Sequence, residues 1–219
     1  MTRVRLDLFL SLDGYAATAE PTPESPMGED WERLTAAYAA TRTFREMVFG
    51  DTTGIGTTGI DERYASRFFE GVGVEIMGAA MFGLHSFPDD PDWKGWWGDQ
   101  PPFHNPVYVL THTAPRSSIP MDGNTTFHFR NATVEEVLAE ATAAADGQDV
   151  RVGGGIATAR EFLIAGLVDD LHLMIAPIIL GRGTRLWDGL RGLELTHTVT
   201  SEVAESGTIH VNFTRKDES

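Results

Sequence analysis

The sequence predicts an α/β fold: a mostly parallel central sheet covered on both faces by helices, closed by antiparallel C-terminal strands, in one domain over residues 1–219. Three observations predict it. Short apolar runs at Val4–Leu12, Val72–Met77, Val107–Thr111 and Leu171–Ile179 read as buried strands. Helical stretches with i, i+3, i+4 apolar spacing alternate with them. The chain then ends in two strand patterns, Leu193–Val203 and Thr208–Thr214, flanking the turn Glu205-Ser206-Gly207.

Taken in order, RLDLFLSL alternates polar and apolar residues as a core strand, and SLDGYAA breaks it into a loop. Pro21–Gly28 (PTPESPMG) is a loop by composition. Asp30 can cap a helix running to about Phe49, with Trp31, Leu34, Tyr38 and Val48 on one stripe. Gly50–Gly59 reads as a mobile excursion, and Asp61 as the cap of a helix carrying Tyr64 and Phe68. Gly78 ends a strand and Ala79–Phe82 begins a helical turn. A long loop, PDDPDWKGWWGDQPPFHNP, holds three tryptophans, and a shorter strand covers Thr125–Arg130. Thr133 and Glu136 form a capping box before a helix faced by Val134, Val137, Leu138 and Ala141.

The organising stretch is Asp149–Trp187. Val150 and Val152 end a strand, and Gly153, Gly154 and Gly155 precede a helix starting near Ile156. Thr158 and Glu161 fit a capping box, and Gly166 is a helix stop. Glycines between strand and helix admit a ligand against the backbone, and the helix start offers free N–H groups to an anion such as a dinucleotide pyrophosphate. A plain tight turn explains the same residues, and both readings stay open here. The run is not the G-x-G-x-x-G fingerprint.

At 219 residues with 42% hydrophobic and 22% charged content, the chain suits one full core. It has no cysteine, which excludes disulfides, a thiol nucleophile and thiolate metal sites, and suits the cytoplasm. A net charge of −15 argues against nucleic acid and anionic membrane as partners. No apolar run reaches the roughly 18 residues that span a bilayer. The seven histidines form no H-x-H or H-x-x-x-H pair, so no metal site is expected, and His172 and His210 read as hydrogen-bonded strand residues.

SLDGYAA, VEIMGAAMF, VYVLTHTA and VRVGGGIATAREFLIAGLVDDLHLMIAPIILGRGTRLW occur in that order, and with them the chain resembles the dihydrofolate reductase superfamily. The nearer likeness is to the reductase (RibD C-terminal) domain of bacterial riboflavin biosynthesis and its stand-alone relatives. The resemblance implies a dihydrofolate reductase-like three-layer sandwich, NADPH as cofactor, and hydride transfer to a small, often heterocyclic, pterin- or pyrimidine-like substrate. It implies cofactor contacts at Ala16 and Ala17 with Leu8 and Phe9 beneath, and phosphate contacts at Gly78, Ala79, Ala80 and Met81. Thr111, His112 and Thr113 would meet the adenosine end, and Gly153, Gly154, Gly155, Ile156, Ala157 and Thr158 the pyrophosphate. Relatives commonly carry arginine after the glycine of the Gly78 turn; Ala79 and Ala80 stand here instead, which removes a bidentate phosphate donor. His112 or Arg116 are the candidates to supply that charge. The stand-alone relatives also imply a homodimer, for which Ile209, Val211 and Phe213 on an edge strand offer apolar surface.

Asp13 is the candidate proton relay, against a reading in which it only accepts backbone N–H bonds at a turn. Phe9, Asp30 and Trp31, with Trp96 and Trp97, are the substrate-side candidates. Asp30 and Glu32 also read as a capping and surface pair, and the tryptophans as anchors of their loop. Two function classes remain, an NADPH-dependent reductase and a dinucleotide-binding module without turnover.

Overall fold

A computed structural model describes residues 2–17, 28, 30–84 and 90–217. In chain order the elements are β1 (Val4–Ser11), β2 (Tyr15–Ala17), α1 (Trp31–Ala39), α2 (Arg42–Phe49), α3 (Ile60–Phe69), β3 (Val72–Gly78) and α4 (Ala79–Phe82). Then follow β4 (Pro106–Leu110), β5 (Ile119–Pro120), β6 (Thr126–Arg130), α5 (Val134–Ala144), β7 (Asp149–Gly154) and α6 (Ile156–Ile164). The chain closes with β8 (Asp170–Ala176), β9 (Thr184–Arg185), α7 (Leu193–Thr196), β10 (His197–Val203) and β11 (Ile209–Arg215). The loop expected at Pro21–Gly28 lies, Gly28 apart, outside the described residues, as do residues 85–89 before the tryptophan loop. No helix among the described residues is long and apolar enough to cross a membrane.

The chain divides into two compact units. The first holds residues 2–6 and 72–169. Its strands run in the order β1-β7-β3-β4-β6-β5, parallel except for the short outer β5. Val74, Ile76, Val107, Val109, Val150 and Val152 are fully buried, as strands covered on both faces require. The Thr133–Glu136 capping box is present, with the Glu136 amide donating to Thr133 and the Thr133 amide to Glu136.

The second unit holds residues 7–17, 28, 30–71 and 170–217. Its strands follow the order β10-β11-β8-β1, with β8, β11 and β10 antiparallel. Phe9, Leu34, Tyr38, Phe44, Tyr64, Met174 and Ala176 make its core. Several expectations change here. The single helix to Phe49 is two helices, broken at Ala40 and Thr41; Thr41 caps α2 through the Phe44 amide and bonds the Tyr38 carbonyl at 2.6 Å. Gly50–Gly59 is tied back rather than loose, because the Thr57 amide donates to Ala40 at 2.7 Å and Arg42 donates to Thr57. SLDGYAA is not all loop: Tyr15–Ala17 pairs with Thr184–Arg185. Asp61 does not cap α3, whose N-cap is Gly59; it sits inside the first turn with its carboxylate turned to His210. The edge is β10, not β11, so Ile209, Val211 and Phe213 lie between two partner strands, and Val199 and Val203 are the exposed apolar residues.

Candidate functional site

In the first unit the carboxyl ends of β3, β4 and β7 lie side by side, with Met77 opposite Gly154 and Gly78 opposite Leu110. Side chains pack tightly against the glycine backbones. A Cβ at Gly154, whose φ is +139°, would stand 2.9 Å from Met81 Sδ; one at Gly78 would collide with the Thr158 hydroxyl oxygen. Thr158 is therefore a packing residue inside α6, not the start of a capping box with Glu161. Gly155 is different: a Cβ there has ordinary room, but its φ of +77° and ψ of 112° favour glycine. It aims the chain into α6, which has no side-chain cap, so its first-turn N–H groups carry no capping side chain. Ala157 on that turn is exposed, whereas Ile156 and Thr158 are buried. Open helix donors beside glycine turns fit a phosphate group.

Other predicted contacts gather at the same end. Thr111 follows β4, its hydroxyl 2.9 Å from that of Thr113 and accepting the Thr113 amide; His112 and Thr113 are exposed. Ala79 is 9% exposed within the cluster of Met77, Phe82, Val107 and Phe127, whereas Ala80 faces solvent and Met81 is half-buried. Arg116 donates to the Trp93 carbonyl at 3.4 Å. Beneath the glycines, buried Glu75 on β3 grips Arg151 on β7, with Arg151 Nε 2.9 Å from both carboxylate oxygens.

Trp96 and Trp97 belong to this unit too. Trp97 stacks on Phe127 (centroids 5.9 Å, 22°) and meets Phe103 edge-on, while Trp96 meets Trp93, whose indole donates to the Phe82 carbonyl. These contacts anchor the loop, the sequence's alternative to a substrate wall.

In the second unit, Asp13 accepts a 2.6 Å bond from Ser11 and the amides of Leu180 (3.1 Å) and Gly181 (2.7 Å). The Ser11 bond above all, against burial, which raises it, and with help from the amides of Gly181 and Leu180, holds its carboxyl at about 2. It clamps the loop after β8 by accepting two backbone N–H groups. Asp30 likewise makes no cap bond to α1; its buried carboxylate meets Arg33 at 2.6 Å and Arg182 at 3.3 Å, and both guanidinium groups are half exposed. Glu32 is exposed. Phe9 meets Trp31 (5.5 Å) and Tyr38 (5.1 Å) edge-on, so Phe9, Asp30 and Trp31 do come together. Leu8 and Ala16 are buried, and Ala17 lies in β2.

Residues 2–209 match the RibD C-terminal domain family. The chain belongs to that family. A putative riboflavin biosynthesis protein from Shewanella sp. PV-4 is similar in structure, with a TM-score of 0.59, 21% identity, and 98% of this chain and 99% of that one covered. A diaminohydroxyphosphoribosylaminopyrimidine deaminase/5-amino-6-(5-phosphoribosylamino)uracil reductase from Thermotoga maritima gives 0.55 at 15% identity; 98% of this chain covers 57% of it. Dihydrofolate reductase of Enterococcus faecalis, solved with NADP(H), gives only 0.48 at 12% identity over 98% and 97%. No curated protein matches. The first two likenesses bear on the fold alone: an α/β protein with a mostly parallel sheet and antiparallel C-terminal strands.

One group within this RibD C-terminal chain escaped the sequence reading. Asp7 on β1, His172 on β8, His210 on β11 and Asp61 on α3 form a buried row. Asp7 Oδ1 lies 3.1 Å from His172 Nδ1, His172 Nε2 lies 3.0 Å from His210 Nδ1, and His210 Nε2 lies 3.0 Å from Asp61 Oδ1. Both histidines are hydrogen-bonded strand residues, as expected. Their connection was hidden because the register of β8 and β11, which sets His210 opposite Met174 and Asn212 opposite His172, is not written in either strand alone.

Proposed function

We propose that the chain is an NADPH-dependent reductase that transfers a hydride to a small heterocyclic, pterin- or pyrimidine-like substrate, of the 5-amino-6-(5-phosphoribosylamino)uracil reductase or dihydrofolate reductase type. Family membership supports the reductase class. The observation that carries the cofactor is the meeting of Gly78, Thr111 and Gly153–Thr158 at the carboxyl ends of parallel strands, where ligands of open α/β sheets bind. The backbone N–H groups of Ile156 and Ala157 would hold the pyrophosphate, and Thr111–Thr113 would border the adenosine end. When bound, NADPH supplies the hydride. Phe9 and Trp31 would offer an aromatic face to a flat substrate.

A second reading, a dinucleotide-binding module without turnover, is favoured by Asp13. Its carboxylate oxygens are already engaged by Ser11 and by the Leu180 and Gly181 amides, and hydride transfer to a heterocycle also needs a proton donor. Loss of NADPH absorbance with pterin or pyrimidine substrates separates the readings. Substrate-dependent oxidation is expected; binding of NADPH without oxidation across the set selects the module.

We also infer a homodimer. The exposed residues Val199 and Val203 on the outer strand β10 support it, because an uncovered edge invites pairing. Charges of −15 on each chain require the contact to be mainly apolar. Light scattering at moderate salt is expected to give twice the chain mass of 24.0 kDa, and a monomer mass at micromolar concentration contradicts it.

A further inference from the structure

The row Asp7–His172–His210–Asp61 has a proton inventory that its geometry dictates. Each of its three contacts, at 3.0–3.1 Å, is a hydrogen bond only if a proton lies between the two heavy atoms. Three contacts therefore need three protons. Two neutral imidazoles and two carboxylates bring only two, one on each ring. If each ring spends its proton on its carboxylate, His172 Nε2 and His210 Nδ1 face each other as bare lone pairs at 3.0 Å. We propose that Asp7, His172, His210 and Asp61 form a buried proton-sharing chain, in which the histidine pair holds one proton more than two neutral rings, and that this proton locks α3 onto the β8–β11 strand pair.

The surroundings favour one added positive charge there. The four groups with the added proton carry a net charge of −1 rather than −2, which suits a site where all four residues are at most 9% exposed. Burial first, against the hydrogen bond and charge of Asp7, presses His172 towards its neutral form. Tyr64 of α3 stacks over both rings, 4.4 Å from His172 and 4.1 Å from His210. An aromatic face covering an imidazolium is attractive and excludes water.

The other ionisable groups around the row are consistent with this. From α1, the buried Tyr38 ring lies 6.2 Å from His210; burial, then the charges of Asp7 and Asp61, hold its hydroxyl strongly in the protonated state. From α3, Arg67 contributes a positive charge at both Tyr38 and His172, and Arg63 pairs with Glu202. From β10, Glu202 accepts bonds from Tyr64 at 2.7 Å and Arg63 at 2.5 Å, which hold its carboxyl low, with a smaller contribution from His210. From β11, Asn212 donates to the Tyr64 hydroxyl at 2.8 Å, fixing the ring that covers the pair.

Proton linkage gives the sign. Above about pH 7.5 the unfolded histidines, with a pKa near 6.5, are neutral and bind two protons, while the folded pair binds three. Folding then takes up one proton, so stability falls as pH rises. Two measurements on the full chain test this. In the wild type, ring-nitrogen chemical shifts are expected to show one buried histidine with both nitrogens protonated up to about pH 8.5; two neutral rings would overturn the proposal. In urea unfolding between about pH 7.5 and 8.5, the folding equilibrium constant is expected to fall by up to about tenfold per pH unit. That slope is expected to disappear in His172→Asn, which keeps a polar side chain beside Asp7. A wild type with no slope, or a His172→Asn chain that keeps it, would overturn the proposal. Should the variant not fold, the nitrogen shifts of the wild type decide alone.

Discussion

The two units bury charge in opposite ways. In the first, Glu75 and Arg151 form a bidentate pair in which the cation cannot lose its proton, so the pair has one state at any ordinary pH. In the second, buried carboxylates meet imidazoles, a side chain that as a class can take up or release a proton near neutral pH. The fixed pair lies under the glycine turns and holds neighbouring strands β3 and β7 at the register that brings Met77 beside Gly154. A backbone cradle for an anion needs a geometry that does not drift with pH. The titratable row ties α3 to the strands of its own unit, where a change in charge alters packing rather than the cradle.

The largest expected effect comes from breaking the fixed pair. Glu75→Gln leaves the 3%-exposed Arg151 without its carboxylate, and a loss of about 3–5 kcal/mol is expected in denaturant unfolding. The loss should hold between pH 6 and 8. A loss that varies with pH across that window would mean that the first unit is titratable as well and would erase the contrast.

The long buried strands were legible because they are continuous apolar runs, as at Val72–Met77 and Val107–Thr111. The short β2, β5 and β9 were not, and the strand read from Leu193 starts at His197 after the helix Leu193–Thr196. The Thr133–Glu136 cap was legible because it is local. Features set by distant partners were not. Asp61 looked like a cap because it opens a helix, yet its partner is 149 residues away on β11. Asp30 looked like a cap for the same reason, but Arg182 draws its carboxylate off the helix end. The three glycines were read as a place where a ligand comes close to the backbone or as a plain tight turn. What approaches Gly154 is Met81 of the same chain, and what approaches Gly78 is Thr158, so these two glycines serve packing and only Gly155 is free of that duty. A bulky residue at Gly154 therefore tests the fold rather than the ligand.

A smaller effect sharpens the electrostatic side of the comparison. The first unit offers backbone donors but no arginine at the Gly78 turn. Ala79 is buried, so the exposed Ala80 is the position where a cation can be added without disturbing the core. Ala80→Arg is expected to tighten NADPH binding by about 1–2 kcal/mol, within the range for hydrogen bonds to charged groups. Unchanged affinity in a calorimetric titration would mean that the phosphates do not pass this turn.

The most direct test of the cofactor site is Ala157→Glu, compared with the wild type in the same NADPH titration. Ala157 is exposed on the first turn of α6, where a carboxylate favours the helix dipole, so the fold is expected to be unharmed or slightly steadier in thermal unfolding. The same carboxylate would sit where the pyrophosphate is expected. The account predicts NADPH affinity lower by about tenfold, or about 1.4 kcal/mol, in a chain at least as stable as the parent. Equal affinity in both chains would contradict it, because the cofactor would then bind away from the helix that the glycine run introduces.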